Sequence, residues 1–122
     1  MENRKDKRLG ELNDVLIKYA GQALKAAPDG GINAYTHDIS VTGARICTKL
    51  DFPIGYVIRI GIDLKRTHQS LSVDGEVIWI RKSKNGKHFD IGVKFLHIVP
   101  DTFLPLIKHI YGKQAGIPSS VS

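Results

Sequence analysis

The sequence predicts an all-β fold, with about six short antiparallel strands closed into a barrel and followed by a C-terminal α-helix. Three observations predict it. Apolar and polar residues alternate in several stretches between residues 14 and 98, and clusters of turn-forming residues separate those stretches. After Pro100 the apolar spacing then becomes helical. Alternation is the mark of a strand with one face buried, and spacing of three to four is the mark of an amphipathic helix.

Val15, Ile17 and Tyr19 give the first, short alternation; Ala44, Ile46 and Thr48 give another. Ile58, Ile60, Ile62 and Leu64 alternate with Val57, Arg59, Gly61 and Asp63. Phe89, Ile91, Val93 and Phe95 alternate with Asp90, Gly92 and Lys94. Between these two, residues 71–82 change phase: Leu71, Val73, Val77 and Trp79 share one parity, Ile78 and Ile80 the other. Gly75 is the expected site of a bulge that resets the facing. Turns are expected at Pro28-Asp29-Gly30-Gly31, Asp51–Gly55, Lys65–Ser70 and Ser83–Lys87, the last holding an Asn-Gly pair suited to a tight hairpin. Short antiparallel strands of this kind form either a sandwich or a barrel, and the barrel is preferred because it leaves no exposed edge. Thr102 is the expected cap of a helix carrying Phe103, Leu106, Ile107 and Ile110 on one face, with Pro105 in the first turn and Gly112 as the stop. The expected organisation is a flexible arm over 1–13, the barrel and helix over 14–112, and a loose tail over 113–122.

The bulk numbers fit one soluble domain: 122 residues, 42% hydrophobic and 25% charged. No apolar run is long enough for a bilayer span, and the charged start Met1–Arg8 leads into no signal-peptide core, so the chain is expected to be cytoplasmic. Cys47 is the only cysteine, which excludes an internal disulfide and fits a reducing compartment. A formal charge of +6 favours an anionic partner without choosing among nucleotide, nucleic acid, membrane surface and acidic protein.

Two motifs carry the chemistry. Arg4-Lys5-Asp6-Lys7-Arg8 is an R-x-x-x-R in the arm, and Asp38-Ile39-Ser40-Val41-Thr42-Gly43 is a D-x-S-x-x-G at a junction between strands. Their order on an all-β chain, with the late strand Asp90-Ile91-Gly92-Val93-Lys94-Phe95, resembles the PilZ family of cyclic di-GMP receptors. The resemblance runs from Arg4 through the final helix. It implies a six-stranded antiparallel barrel of the split-barrel type with a C-terminal helix, and cyclic di-GMP as ligand. Arg4, Arg8, Asp38, Ser40 and Gly43 would form the site, with Trp79, Arg81 and Lys5 in supporting places. Asn3, rather than an arginine, precedes Arg4; within the family this leans towards one ligand per domain.

The residue types suit that ligand, which presents two phosphodiesters and two guanines. An arginine fork pairs with phosphate oxygens, grips the O6/N7 edge of guanine, or stacks on a base. A carboxylate at Asp38 accepts from the guanine N1–H and amino group, and Ser40 donates to phosphate or ribose. Gly43 permits close approach of the backbone. An indole at Trp79 offers a stacking surface, and Arg81, two residues along the strand, a cation on the same face. Ligand-driven ordering of the arm, read by a downstream protein partner, is the expected mechanism.

Each residue also has a plain structural reading. Arg4 and Arg8 fit a solvated basic tail, and Asp38, Ser40 and Gly43 an ordinary polar turn. Trp79 and Arg81 fit a core tryptophan and a solvent arginine. The histidines at 37, 68, 88, 97 and 109 show no metal-ligand spacing, and Cys47 shows no base partner in sequence, so neither a metal nor a catalytic site is expected, and no cofactor. Two other functions compete: a barrel that binds protein partners without nucleotide, and a basic barrel for single-stranded nucleic acid. The second is disfavoured because aromatics make up only 7% of the chain, so no nucleic-acid partner is expected.

Overall fold

The computed structural model describes residues 8–19 and 31–111. Six strands and two helical segments follow in order: β1 (Asp14–Tyr19), β2 (Ile32–Ile39), β3 (Gly43–Thr48), β4 (Val57–Leu64), a 3₁₀ turn (Lys65–Thr67), β5 (Gln69–Lys82), β6 (Phe89–Leu96) and α1 (Pro100–Tyr111). Every pairing is antiparallel, and the strands close in the order β1-β2-β3-β6-β5-β4. Closure pairs both sides of every strand, so the sheet has no open edge. Among the described residues no helix is long and apolar enough to cross a membrane.

The alternation sorts residues as a barrel requires. Ile58, Ile60, Ile62 and Leu64 of β4 point inward and are fully buried, as are Ile17, Ile46, Val77 and Ile91. Phe52, on the segment crossing from β3 to β4, is wholly buried in the same core, and Leu106 and Ile110 of α1 complete it. The hairpin between β5 and β6 turns at Ser83–Gly86, where the Gly86 N–H donates to Ser83 O at 2.9 Å and Gly86 takes a φ of 73°. That left-handed conformation is the reason for glycine after Asn85.

Three expectations are corrected. The phase reset in β5 falls at Ile78, not Gly75: Val77 pairs with Val93 and Trp79 with Gly92, leaving Ile78 as the extra residue of a bulge. Gly75 lies in regular pairing, and a Cβ there would stand 2.2 Å from Val93 Cγ1, so it is a small residue beneath a large neighbour. Helix α1 begins at Pro100, and Val99 O accepts from Thr102 N (2.9 Å) and Phe103 N (2.8 Å). Pro100 thus holds the first helical position, where its missing N–H costs nothing. Thr102 is not the cap; its hydroxyl donates to Ser72 O of β5 at 3.3 Å. Pro105 therefore sits in the second turn, not the first.

Residues 8–13, counted with the arm in the sequence expectation, are bound to the barrel. Leu9 and Ile39 exchange two backbone hydrogen bonds, of 2.9 and 3.0 Å. Asn13 is buried, and its backbone N–H donates to Thr36 Oγ1 at 3.0 Å. The rest of the arm, the turn over 28–30, Gly112 and the tail lie outside the described residues.

Candidate functional site

Between Thr36 and Asp38 the pairing of β2 with β3 shifts, so that His37 is an extra residue opposite the Arg45–Ile46 step. A bulge of this kind breaks alternation and lets two successive side chains share a face. Thr36 and Ile39 are buried, while His37 and Asp38 both lie partly exposed on the outside of the barrel. Arg8 reaches Asp38 because the Leu9–Ile39 bridge fixes the adjoining chain.

The two motifs meet at this point. Arg8 Nε donates to Asp38 Oδ1 at 3.1 Å, and Arg8 Nη1 donates to Ser40 Oγ at 3.0 Å. Ser40 is fully buried and organises the loop: its hydroxyl oxygen also accepts from the N–H groups of Thr42 and Gly43, both at 3.2 Å. A second cation, Arg45 of β3, places Nε 3.3 Å from Asp38 Oδ2 without the alignment of a hydrogen bond. Arg45 was missed in the sequence. Its outward place between inward Ala44 and Ile46 was the available signal, but only the bulge brings it opposite Asp38. Two guanidinium groups flank the one Asp38 carboxylate, which retains lone pairs for further donors.

At Gly43 a Cβ would stand 2.2 Å from Val93 O, so the close approach of β3 to β6 by itself calls for glycine here. Trp79 lies on the barrel exterior, 37% exposed, which rules out the core reading. Its indole lies on Gly92, where a Cβ would come within 2.1 Å of Trp79 Nε1. Gly92 pairs with Arg45 on one side and Trp79 on the other, so the outer face runs Asp38, Arg45, Gly92, Trp79 across four strands. The Arg81 guanidinium stands 5.7 Å from the indole centroid, and Arg81 Nη2 is 3.7 Å from Asp90 Oδ2. The structure thus brings Arg8, Asp38 and Ser40 into contact and sets Trp79 and Arg81 on the same outer surface. Arg4 and Lys5 lie outside the described residues.

A second polar cluster ties the arm to the helix. His109 of α1 is fully buried, and its Nε2 donates to Glu11 Oε2, since a carboxylate can only accept. Thr67 Oγ1 accepts from Gln69 Nε2 (2.9 Å) and lies at hydrogen-bonding distance from His109 Nδ1 (2.8 Å). Arg66 Nε donates to Glu11 Oε1 (3.2 Å) and Arg66 Nη2 to His109 O (2.8 Å). Burial pushes the Glu11 carboxyl up, but hydrogen bonds from His109, Asn13 and Arg66, with the attraction of His109, outweigh it and hold the group below its usual range.

Comparison with known proteins gives this arrangement a context. The model of the PilZ domain family matches residues 2–112. No curated protein sequence matches the chain. Among solved structures it is similar to the Bacillus subtilis inhibitor of motility MotI/DgrA, with TM-score 0.72 and 17% identity over 96% of this chain and 53% of that one. It is also similar to YcgR of Escherichia coli in complex with c-di-GMP, with TM-score 0.70 and 14% identity over 98% of this chain and 50% of that one. The separate PilZ domain of YcgR with c-di-GMP gives TM-score 0.65 and 14% identity, covering 98% of both chains. The chain thus spans about half the length of the first two.

Proposed function

The chain belongs to the PilZ domain family, and on that premise we propose that it is a receptor for cyclic di-GMP whose bound form is recognised by a partner protein. The observation that carries the reading is the contact between the two motifs: Arg8 holds Asp38 and Ser40 at 3.1 and 3.0 Å on the outside of the barrel. Relatives of the same fold were solved with c-di-GMP bound, which supports the same ligand class here.

The chemistry divides among the residues. Asp38, oriented between Arg8 and Arg45, accepts from a guanine Watson–Crick edge, a pairing that adenine cannot supply. Arg8 and Arg45 then neutralise phosphate, and Arg4 closes over the ligand from the arm. Trp79 stacks on a base and Arg81 meets a phosphate at the far end of the same face. The ordered arm, the ligand and the barrel face together make a surface that the free protein lacks, and this surface is the signal. Motility or biofilm control is the matching process, in line with a relative that inhibits motility.

Titration calorimetry of cyclic di-GMP into the wild type and into Arg8→Ala tests the proposal. Saturable binding that Arg8→Ala abolishes is expected, with a stoichiometry of about one ligand per domain. A folded wild type that takes up no ligand would instead assign the barrel to protein contacts alone.

A further inference from the structure

The bulge that delivers Asp38 also delivers His37, on the side away from Arg8. Cys47 of β3 and Asp90 of β6 are direct partners across their ladder, and His37 of β2 lies beside them. His37 Nε2 stands 3.4 Å from Asp90 Oδ1, and one ligand atom from each of His37, Cys47 and Asp90 lies within 4.8 Å of the others. We propose that these three side chains form a binding site for a zinc-class divalent cation on the outside of the barrel.

The geometry is close to what such an ion requires. Bond lengths of about 2.0–2.3 Å in a tetrahedron set ligand atoms roughly 3.3–3.8 Å apart, so the widest pair must close by about 1 Å. Rotamer adjustment of His37 and Asp90, whose side chains are 32% and 22% exposed, provides that movement. Cys47 is buried and forms the floor, so the ion enters from solvent and keeps a fourth position for water. The donor set chooses the metal: thiolate and imidazole favour a borderline-soft cation over magnesium or calcium, which take oxygen ligands. Asp90 turns one oxygen to His37, while Arg81 stands by the other at 3.7 Å, an outer contact that orients the ligating atom.

Sequence spacing could not show the site, because its members come from three strands and only the ladder and the bulge bring them together.

The test is titration of the reduced, tag-free protein with Co²⁺, followed by displacement with Zn²⁺. One equivalent is expected to give a near-ultraviolet thiolate-to-cobalt band and intense visible bands of a four-coordinate ion, both lost on adding Zn²⁺. Cys47→Ser should abolish the ultraviolet band, and Asp90→Asn should weaken Co²⁺ binding by roughly 10-fold or more. Asp90 lies at the surface, so its variant decides the matter even where the serine at the buried position unfolds the chain. Cobalt bound without a thiolate band, a band that survives in Cys47→Ser, or an affinity untouched by Asp90→Asn would each overturn the site.

Discussion

Arg8 is held by its fork, not only by its charge. Nε serves Asp38 and Nη1 serves Ser40, two acceptors a lysine ammonium cannot meet in the same geometry. Arg8→Lys should therefore weaken cyclic di-GMP binding by about 10-fold or more, a loss of at least ~1.4 kcal/mol, with Tm little changed; calorimetry and thermal unfolding together check this. Two glycines on the same face should behave oppositely. At Gly43 an added Cβ meets the backbone oxygen of Val93 at 2.2 Å, and backbone in a closed barrel cannot yield. Gly43→Ala should lower Tm sharply. At Gly92 the three nearest atoms to a Cβ all belong to the indole of Trp79, a side chain on the exposed surface that can yield where backbone cannot. Gly92→Ala should keep the fold, shift the fluorescence of the single tryptophan and weaken nucleotide binding. Equal loss of stability in both variants would contradict this division.

At the scale of elements, two bulges decide what the outer surface presents, and they also mark where the sequence could be read. Regular strands were legible: β4 and β6 alternate without a break, and their apolar sets are buried but for Phe89 at the start of β6. The motifs were legible too, because Arg8, Asp38 and Ser40 meet through short polar contacts that residue type foretells. Strand β2 was not, because its inward positions include Thr36 and its bulge sets His37 beside Asp38, which erases the period of two. Arg45 and the His37–Cys47–Asp90 cluster were hidden for the same reason. The start of α1 was misread because Pro100 at the first position and a hydroxyl spent on Ser72 replace a side-chain cap.

The joint between arm and helix belongs to the same scale and has a definite pH dependence. The folded Glu11 carboxyl titrates below its unfolded counterpart. Its stabilisation is thus fully present above the unfolded value of about 4.3 and is lost as pH falls through the lower folded one. Protonation weakens the acceptor for His109 and Arg66 and loosens residues 8–13. Glu11→Gln should remove that acid sensitivity and cost about 1–3 kcal/mol at neutral pH, because the buried His109 Nε2–H loses its ionised acceptor. Urea unfolding across pH 3–7, a window on the order of the carboxylate range, checks both points.

For the whole molecule, the barrel is a rigid floor and the functional groups stand on its outside. Every strand is paired on both sides and the core is filled by side chains from all six strands and α1. On the proposed reading, a ligand on the outer face acts by adding contacts to the barrel surface rather than by opening this core. That has a measurable consequence. A ligand that binds only the folded chain stabilises it by RT ln(1 + [L]/Kd), about 2.7 kcal/mol at one hundred times Kd. For a domain of this size that is a rise in Tm of roughly 10 °C. Cyclic di-GMP should produce the rise in the wild type, while cyclic di-AMP should not, because adenine offers Asp38 no paired N1–H and amino donors. Arg8→Ala should unfold at one temperature with or without the nucleotide. Raising the salt concentration should shrink the wild-type shift, since a dianion is drawn to a chain of charge +6 partly through charges that salt screens. A shift of equal size with both dinucleotides would mean that the face reads phosphate charge alone, and Asp38 would then have no part in choosing the base.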